Sequence, residues 1–238
     1  MLASLACAGA RSVVDTGVGD DGRIAARPKS GVKTSRSGTQ PLGLAEGRDA
    51  VLQLPATAGG TPLPLLVLLH GAGGSGGAML RRVGSAAATA GIAVLAPDSR
   101  GSTWDAIRGG FDRDVDFLNR ALEQVFQTVD VDPARLAVGG FSDGASYAVS
   151  LGLINGDLFR RVAAFSPGFV IERAAHGKPR FFISHGSEDT ILPIDRCGRP
   201  IAEALRRQHY EVTFREFDGG HAVPPDIADQ AMKWLAAK

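Results

Sequence analysis

The sequence predicts an α/β fold with a doubly wound, mostly parallel sheet that carries helices on both faces. Short apolar runs alternate along the chain with stretches of helical periodicity. Several of these runs are apolar throughout, as strands buried on both faces of a parallel sheet must be. Strand, helix and strand in this order imply right-handed crossovers. At 238 residues the chain is long enough for one such domain.

Seven runs are candidate strands. In chain order they are AVLQL, LPLLVLLH, IAVLAP, RLAVGG, VAAFSP, RFFISH and VTFREF. The clearest helix between them has apolar residues spaced by three and four positions, which gives one continuous stripe for packing on the sheet. The stripe consists of Phe111, Val115, Leu118, Leu122, Val125 and Val129. Asp132-Pro133 is expected to end this helix and turn the chain into RLAVGG.

Two segments divide the chain. Residues 1–42 are rich in Gly, Ser, Thr, Arg and Pro without apolar periodicity, and predict a flexible N-terminal arm. Residues 43–238 form the predicted α/β domain. The opening MLASLACAGA lacks the positive residues of a secretory signal and is too short to span a bilayer. As written, the chain is expected to be cytoplasmic; it would be secreted if this segment is the remnant of an export signal.

Composition excludes several functional classes. Hydrophobic residues make up 44% and charged residues 21%, as in ordinary globular proteins. The net charge of +1, without a Lys/Arg cluster, argues against nucleic-acid or anionic-membrane partners and favours small neutral substrates. Cys7 and Cys197 have neither disulfide-framework nor metal-ligand spacing, so no metal site is expected.

Two pentapeptides match the pattern G-x-S-x-G of a nucleophilic serine, namely residues 140–144 (GFSDG) and 73–77 (GGSGG). Such a nucleophile needs a strand that runs straight into it, a helix that leaves from it, and small flanking residues. Ser142 has all three, because RLAVGG precedes it and ASYAVSLGL follows it. Ser75 lies in a loop of many glycines, so we predict Ser142 as the nucleophile.

The glycine loop HGAGG at residues 70–74 follows the most hydrophobic strand. In a fold with such a nucleophile, this position supplies backbone N–H groups to the oxyanion. The predicted donors are the amides of Ala72 and of Asp143, the residue after the nucleophile.

The general base should lie beyond the nucleophile, where four histidines remain. His221 is the predicted base, because it stands in a glycine loop between the last strand and the last helix. His185 ends a strand and is expected to be packed or hydrogen-bonded there. His176 and His209 lie in polar stretches and should be solvated.

The predicted acid is Asp189, just past the carboxyl end of the strand RFFISH, where catalytic groups gather in open α/β sheets. Glu188 and Asp195 are its rivals. Glu188 should point elsewhere on the same turn, and Asp195 is expected to cap a helix that continues to Gln208.

Three residues are candidates for the substrate pocket. Trp104 follows another strand end and either walls the pocket or packs in the core, while Ile191 and Leu192 follow the predicted acid. Residues 168–179, which join the candidate strands VAAFSP and RFFISH, are too few and too hydrophilic to form an amphipathic lid over the pocket. A shallow, open pocket is therefore expected.

Five ordered blocks resemble the phospholipase/carboxylesterase branch of the α/β-hydrolase superfamily, with polyhydroxybutyrate-depolymerase-like esterases as near relatives. They are LLVLLHGAGGSGG, APDSRGSTWD, VDPARLAVGGFSDGASYAVSLGL, HGSEDTILPID and FDGGHAVPPD. The resemblance implies a serine carboxylesterase that works through an acyl-enzyme and needs no cofactor. Because no lid is expected, the predicted substrates are short- to medium-chain esters. A lysophospholipase or acyl-thioesterase, an acyltransferase and a peptidase use the same triad and stay open. The expected partner is a small ester, and the sequence contains no integral membrane segment.

Overall fold

A computed structural model describes residues 21–34, 37–56, 58 and 60–237. This part of the chain contains eight strands, five α-helices and a short 3₁₀ helix, Asp105–Ile107. The strands are β1 (Gly38–Pro41), β2 (Ala50–Leu54), β3 (Leu63–Leu69), β4 (Ala93–Pro97), β5 (Val131–Phe141), β6 (Arg161–Phe165), β7 (Arg180–Gly186) and β8 (Val212–Phe217). The helices are α1 (Gly76–Thr89), α2 (Arg113–Thr128), α3 (Asp143–Ile154), α4 (Gly198–Arg207) and α5 (Pro225–Ala236).

All eight strands form one sheet in the order β1-β2-β4-β3-β5-β6-β7-β8. Strands β1 and β2 are antiparallel to each other, and β2 is antiparallel to β4. From β4 to β8 every neighbouring pair is parallel. The carboxyl ends of these six strands therefore meet at one edge of the sheet, where groups following different strands can converge.

Helices cover both faces of the sheet, as predicted. One core cluster contains apolar residues of α2, α3 and α4, and the other contains those of α1 and α5. Strands β3, β4 and β6 are buried at every position, which explains their unbroken apolar sequences. The predicted stripe on α2 is buried as well, including Val115, Leu118 and Leu122. The doubly wound fold class is confirmed.

Each of the seven predicted strands is present, but two details differ from expectation. Strand β5 begins at Val131 and runs through Asp132-Pro133, which we expected to be a turn. This is possible because β5 pairs only irregularly with β3 at this point, where the register between the two strands shifts between Leu63 and Leu65. The four-residue edge strand β1 lies within the predicted arm and has no apolar pattern by which it could be recognised.

The described part of the predicted arm is held against the domain rather than extending from it. Ile24 is buried in the core, and its amide donates to Asn155 Oδ1 at 2.9 Å. Arg23 forms a bidentate ion pair with Asp157, at 2.7 and 2.8 Å, which lowers the pKa of that carboxyl group. Residues 1–20 of the arm lie outside the described residues, so flexibility there stays a prediction.

None of the helices in the described ranges is long and apolar enough to cross a membrane.

Candidate active site

The predicted site residues follow four of the parallel strands at the carboxyl edge of the sheet. Ser142 follows β5, the glycine loop 70–74 follows its neighbour β3, Asp189 follows β7, and His221 follows β8. The parallel register thus brings together side chains that are far apart in sequence.

Ser142 occupies a strained turn between β5 and α3. Its backbone angles are φ 58° and ψ −121°, a region that residues other than glycine rarely adopt. The Ser142 amide donates to Phe165 O of β6 at 3.0 Å, which holds the turn on the sheet. At Gly144 a Cβ atom would come within 2.5 Å of the backbone oxygens of Leu69 and His70. Small flanking residues are therefore required by close backbone approach, as the nucleophile-elbow interpretation expects.

Ser142, His221 and Asp189 form one hydrogen-bonded row. His221 Nε2 lies 2.9 Å from Ser142 Oγ, and His221 Nδ1 lies 2.6 Å from Asp189 Oδ2. A carboxylate can only accept, so Nδ1 carries the proton and Nε2 is left as the acceptor for the serine hydroxyl. This arrangement suits a serine nucleophile with a histidine base.

Asp189 is buried and its two oxygens have separate sets of donors. Oδ1 accepts from the amides of Ile191 and Leu192, at 2.9 and 2.8 Å. Oδ2 faces His221 and also His185, whose Nε2 is 3.3 Å away. The carboxylate is thus fixed in orientation by its own loop and turned toward His221.

His185 contacts both Asp189 and the loop that follows it. As predicted, its ring is packed and hydrogen-bonded at the end of β7: it is fully buried, and Nε2 lies 2.7 Å from Leu192 O. Among the described residues, Nδ1 has no hydrogen-bond partner, and it packs against the backbone of Gly198. Burial lowers the pKa of His185, so its neutral form with a proton on Nε2 is favoured.

The rival residues have other positions. Ser75 is the N-cap of α1, where its Oγ accepts from the Ala78 amide at 3.2 Å. Glu188 is exposed. Asp195 does not cap a helix, contrary to expectation, because α4 begins only at Gly198 and Asp195 pairs instead with Arg199. His176 and His209 are exposed, as predicted.

The glycine loop lies directly against Ser142. A Cβ atom at Gly71 would be 3.3 Å from Ser142 Cβ, so the loop backbone packs on the serine. In the described structure neither the Ala72 nor the Asp143 amide, the two predicted oxyanion donors, donates to another residue. The Asp143 carboxylate accepts a hydrogen bond from Thr103 Oγ1 at 2.6 Å.

Trp104 does not wall an open pocket. Its side chain is 1% exposed, stacks on Tyr147, and donates from Nε1 to His70 O at 2.8 Å, so it is a core residue that anchors the end of β3. Ile191 is 65% exposed and Leu192 is half-buried against Gly168. These two residues leave an apolar surface beside Asp189.

The connection between β6 and β7, all of which is described, contains no helix. Residues 172–178 of it are exposed and largely polar. Within the described ranges, no three His, Cys, Asp or Glu side chains converge as metal ligands would.

Comparisons with known proteins identify the family and the fold. The phospholipase/carboxylesterase family model matches residues 57–238. The chain is 28% identical over 182 residues to feruloyl esterase C of Emericella nidulans, covering 71% of this chain and 66% of the relative. It is 26% identical over 113 residues to acyl-protein thioesterase 1 of Gibberella zeae, covering 43% of this chain and 48% of the relative. The chain thus spans about half to two thirds of these relatives. A crystal structure of esterase PE8 has the same fold, with a TM-score of 0.62 and 23% identity over 79% of this chain and 96% of that one.

Proposed function

The chain belongs to the phospholipase/carboxylesterase family, and from that membership we propose that it is a serine esterase. Its proposed substrates are carboxylic esters with short to medium acyl chains, cleaved through an acyl-enzyme. The observation that carries this proposal is the row Ser142–His221–Asp189, with contacts of 2.9 and 2.6 Å, on a strained turn.

The chemistry follows from the proton positions in that row. His221 Nε2 accepts the Ser142 proton as Oγ attacks the ester carbonyl carbon. The imidazolium then gives this proton to the departing alkoxide, leaving an acyl group on Ser142. Water then enters, loses a proton to the same nitrogen and attacks the acyl carbon. The bond to Ser142 Oγ breaks, Oγ takes the proton back from His221, and the carboxylic acid leaves. Asp189 remains ionised throughout and stabilises the imidazolium.

The tetrahedral oxygen that forms in each step needs hydrogen-bond donors. The amides of Ala72 and Asp143 are suited to this role, because Asp143 directly follows Ser142, the loop that contains Ala72 packs on the serine at Gly71, and neither amide has another acceptor in the described structure. Losing one such donor typically costs about 3 kcal/mol of barrier.

Substrate size follows from the surroundings of the triad. The helix-free connection at 166–179 supplies no cover for a long acyl chain. Exposed Ile191 and half-buried Leu192 offer a small apolar surface beside Asp189. Each methylene of the acyl chain contributes about 0.8 kcal/mol of binding free energy only while it is buried. Methylenes beyond this small surface stay in water, so long acyl chains should bind no more tightly than short ones.

The experiment is a kinetic screen of p-nitrophenyl esters with the wild type, Ser142→Ala and Ser75→Ala. Ser142→Ala should lose turnover by several orders of magnitude. Ser75→Ala is the matched control, because it alters the other G-x-S-x-G serine and removes only a helix cap worth about 1 kcal/mol. Loss of activity in Ser75→Ala, or full activity in Ser142→Ala, would refute the assignment.

The likeness to an acyl-protein thioesterase favours one second candidate, the cleavage of thioesters, which the same triad performs. Matched oxygen esters and thioesters with the same acyl group separate the two. A kcat/KM for the thioester that greatly exceeds that for the ester would favour the second candidate.

A further inference from the structure

The glycine loop 70–74 cannot fix its own shape. Three of its five residues are glycine, and Gly73 adopts a positive φ of 67°. Such a segment has many accessible conformations. For the Ala72 amide to point at a fixed oxyanion, contacts from outside the loop must hold the backbone on both sides of it.

Arg48 makes such contacts from the turn before β2. Its guanidinium Nη2 lies 3.2 Å from Gly74 O and 3.2 Å from His70 Nε2. These two acceptors are two residues after and two residues before Ala72. Nε of the same guanidinium donates to the Ser99 backbone oxygen, past the end of β4, which fixes the position of the group. Nη2 also lies 3.1 Å from the Ser99 hydroxyl, so its two hydrogens are shared among three acceptors.

The tautomer of His70 completes the clamp. Nε2 of this buried ring accepts a hydrogen bond from the Ser99 amide at 3.0 Å. The Arg48 guanidinium, which can only donate, also faces Nε2. Nε2 is therefore the acceptor, so Nδ1 carries the proton and donates it to Gly71 O, 2.7 Å away. Arg48 thus holds Gly74 directly and Gly71 through His70. Burial lowers the pKa of His70, which favours this neutral form.

Besides Arg48, the loop is held at its first residue by Trp104 Nε1, which donates to His70 O at 2.8 Å, and by two backbone bonds. The Gly73 amide donates to Ser102 O at 2.6 Å, and the Gly74 amide donates to Gly71 O at 3.0 Å. Neither bond ties the loop to β2 or to His70. We propose that Arg48 is a positioning residue for catalysis, which clamps the loop 70–74 so that the Ala72 amide faces the oxygen of the reacting ester. This proposal rests on the esterase function proposed above.

Two measurements on the full-length protein test it, with Arg48→Ala compared with Arg207→Ala. Arg207 lies on α4, and its guanidinium makes only a loose surface pair with Glu203 at 3.8 Å. An oxyanion donor acts in the transition state and not in the ground state. We therefore expect Arg48→Ala to lower kcat on p-nitrophenyl acetate by roughly tenfold to a hundredfold, with KM within about twofold of the wild type.

The second measurement is hydrogen–deuterium exchange, which needs no activity. Peptides covering residues 70–77 should exchange faster in Arg48→Ala than in the wild type or Arg207→Ala, since the amides of Gly73 and Gly74 are hydrogen-bonded in the intact loop. Peptides from β7 should be unchanged. If the wild type hydrolyses no ester, the proposed esterase function fails, yet exchange still decides whether Arg48 holds the loop.

Unchanged kcat in Arg48→Ala, a raised KM with unchanged kcat, or unchanged exchange over residues 70–77 would each overturn the proposal. If Arg48→Ala does not fold, Arg48→Lys is measured in the same way. Lysine keeps the aliphatic stem and the charge but lacks the planar fork that reaches Ser99, His70 and Gly74 together. The same outcomes then decide.

Discussion

Replacing Asp189 by Asn should abolish the base function of His221 while leaving nearly the same volume in place. Each oxygen of Asp189 faces two donors: the amides of Ile191 and Leu192 on one side, and the rings of His221 and His185 on the other. The Asn amide nitrogen must therefore meet donors in either orientation. When it faces His221, it can pair only with an unprotonated Nδ1, which puts the proton on the nitrogen that should accept from Ser142.

The wrong tautomer in such a triad typically lowers kcat by about four orders of magnitude, or roughly 5.5 kcal/mol of barrier. The mispaired buried donors should also destabilise the fold by about 1–3 kcal/mol, which lowers Tm by roughly 2–4 °C per kcal/mol in a domain of this size.

The assay is kcat on p-nitrophenyl acetate together with a thermal melt. Asp195→Asn is the control, because it makes the same change on a side chain that is 76% exposed and pairs only with Arg199. Its kcat should equal that of the wild type, and its stability should change by less than about 1 kcal/mol. A kcat of Asp189→Asn within tenfold of the wild type would refute the reasoning.

The remaining predictions concern stability and substrate range. Gly144→Ala should destabilise the fold by about 2 kcal/mol or more, because its Cβ would lie 2.5 Å from backbone oxygens at the end of β3. Gly109→Ala is the control and should leave Tm almost unchanged, because a Cβ there meets nothing within 4 Å. Equal melting temperatures for the two variants would contradict this prediction. Burial lowers the pKa of His70 and of His185, so below the unfolded-state value of about 6.5 the unfolded chain takes up protons that the folded chain excludes, and stability falls as the pH falls. Burial raises the pKa of Asp114, which opposes this loss at lower pH; melts between pH 8 and 5 test the sign, and a Tm that is constant from pH 7 to 5 would be the wrong outcome. On p-nitrophenyl esters, activity should be highest for acetyl to hexanoyl chains, without activation at an oil interface; a preference for palmitoyl esters would reveal a lid or tunnel.

The sequence predicts the central sheet well because burial on both faces leaves a direct signal. Strand β3, whose residues LPLLVLL are buried at every position, contains no polar side chain. Edge strand β1 carries no such signal, since its residues are mostly exposed. Its pairing with β2 depends on contacts that no local pattern encodes.

Local motifs also point to the proposed nucleophile, because an elbow requires small residues beside Ser142. They do not settle Trp104, since an aromatic residue after a strand fits a core and a pocket wall equally well. Arg48 was missed for a related reason. It is a single arginine in the stretch AEGRDA, and its partners His70 and Ser99 lie 22 and 51 residues away. Likewise, the Ile24 amide donates to Asn155, which lies 131 residues later in the sequence.

Trapping the acyl-enzyme tests the central claim most directly. The protein is mixed with p-nitrophenyl acetate, quenched in acid while turnover proceeds, digested and analysed by mass spectrometry. We predict an acetyl group on the peptide that contains Ser142, and none on that peptide in Ser142→Ala or on the peptide that contains Ser75. The experiment is repeated at low pH, where deacylation is slowed. Turnover there without an acetylated Ser142, or acetylation of Ser75 instead, would contradict the account.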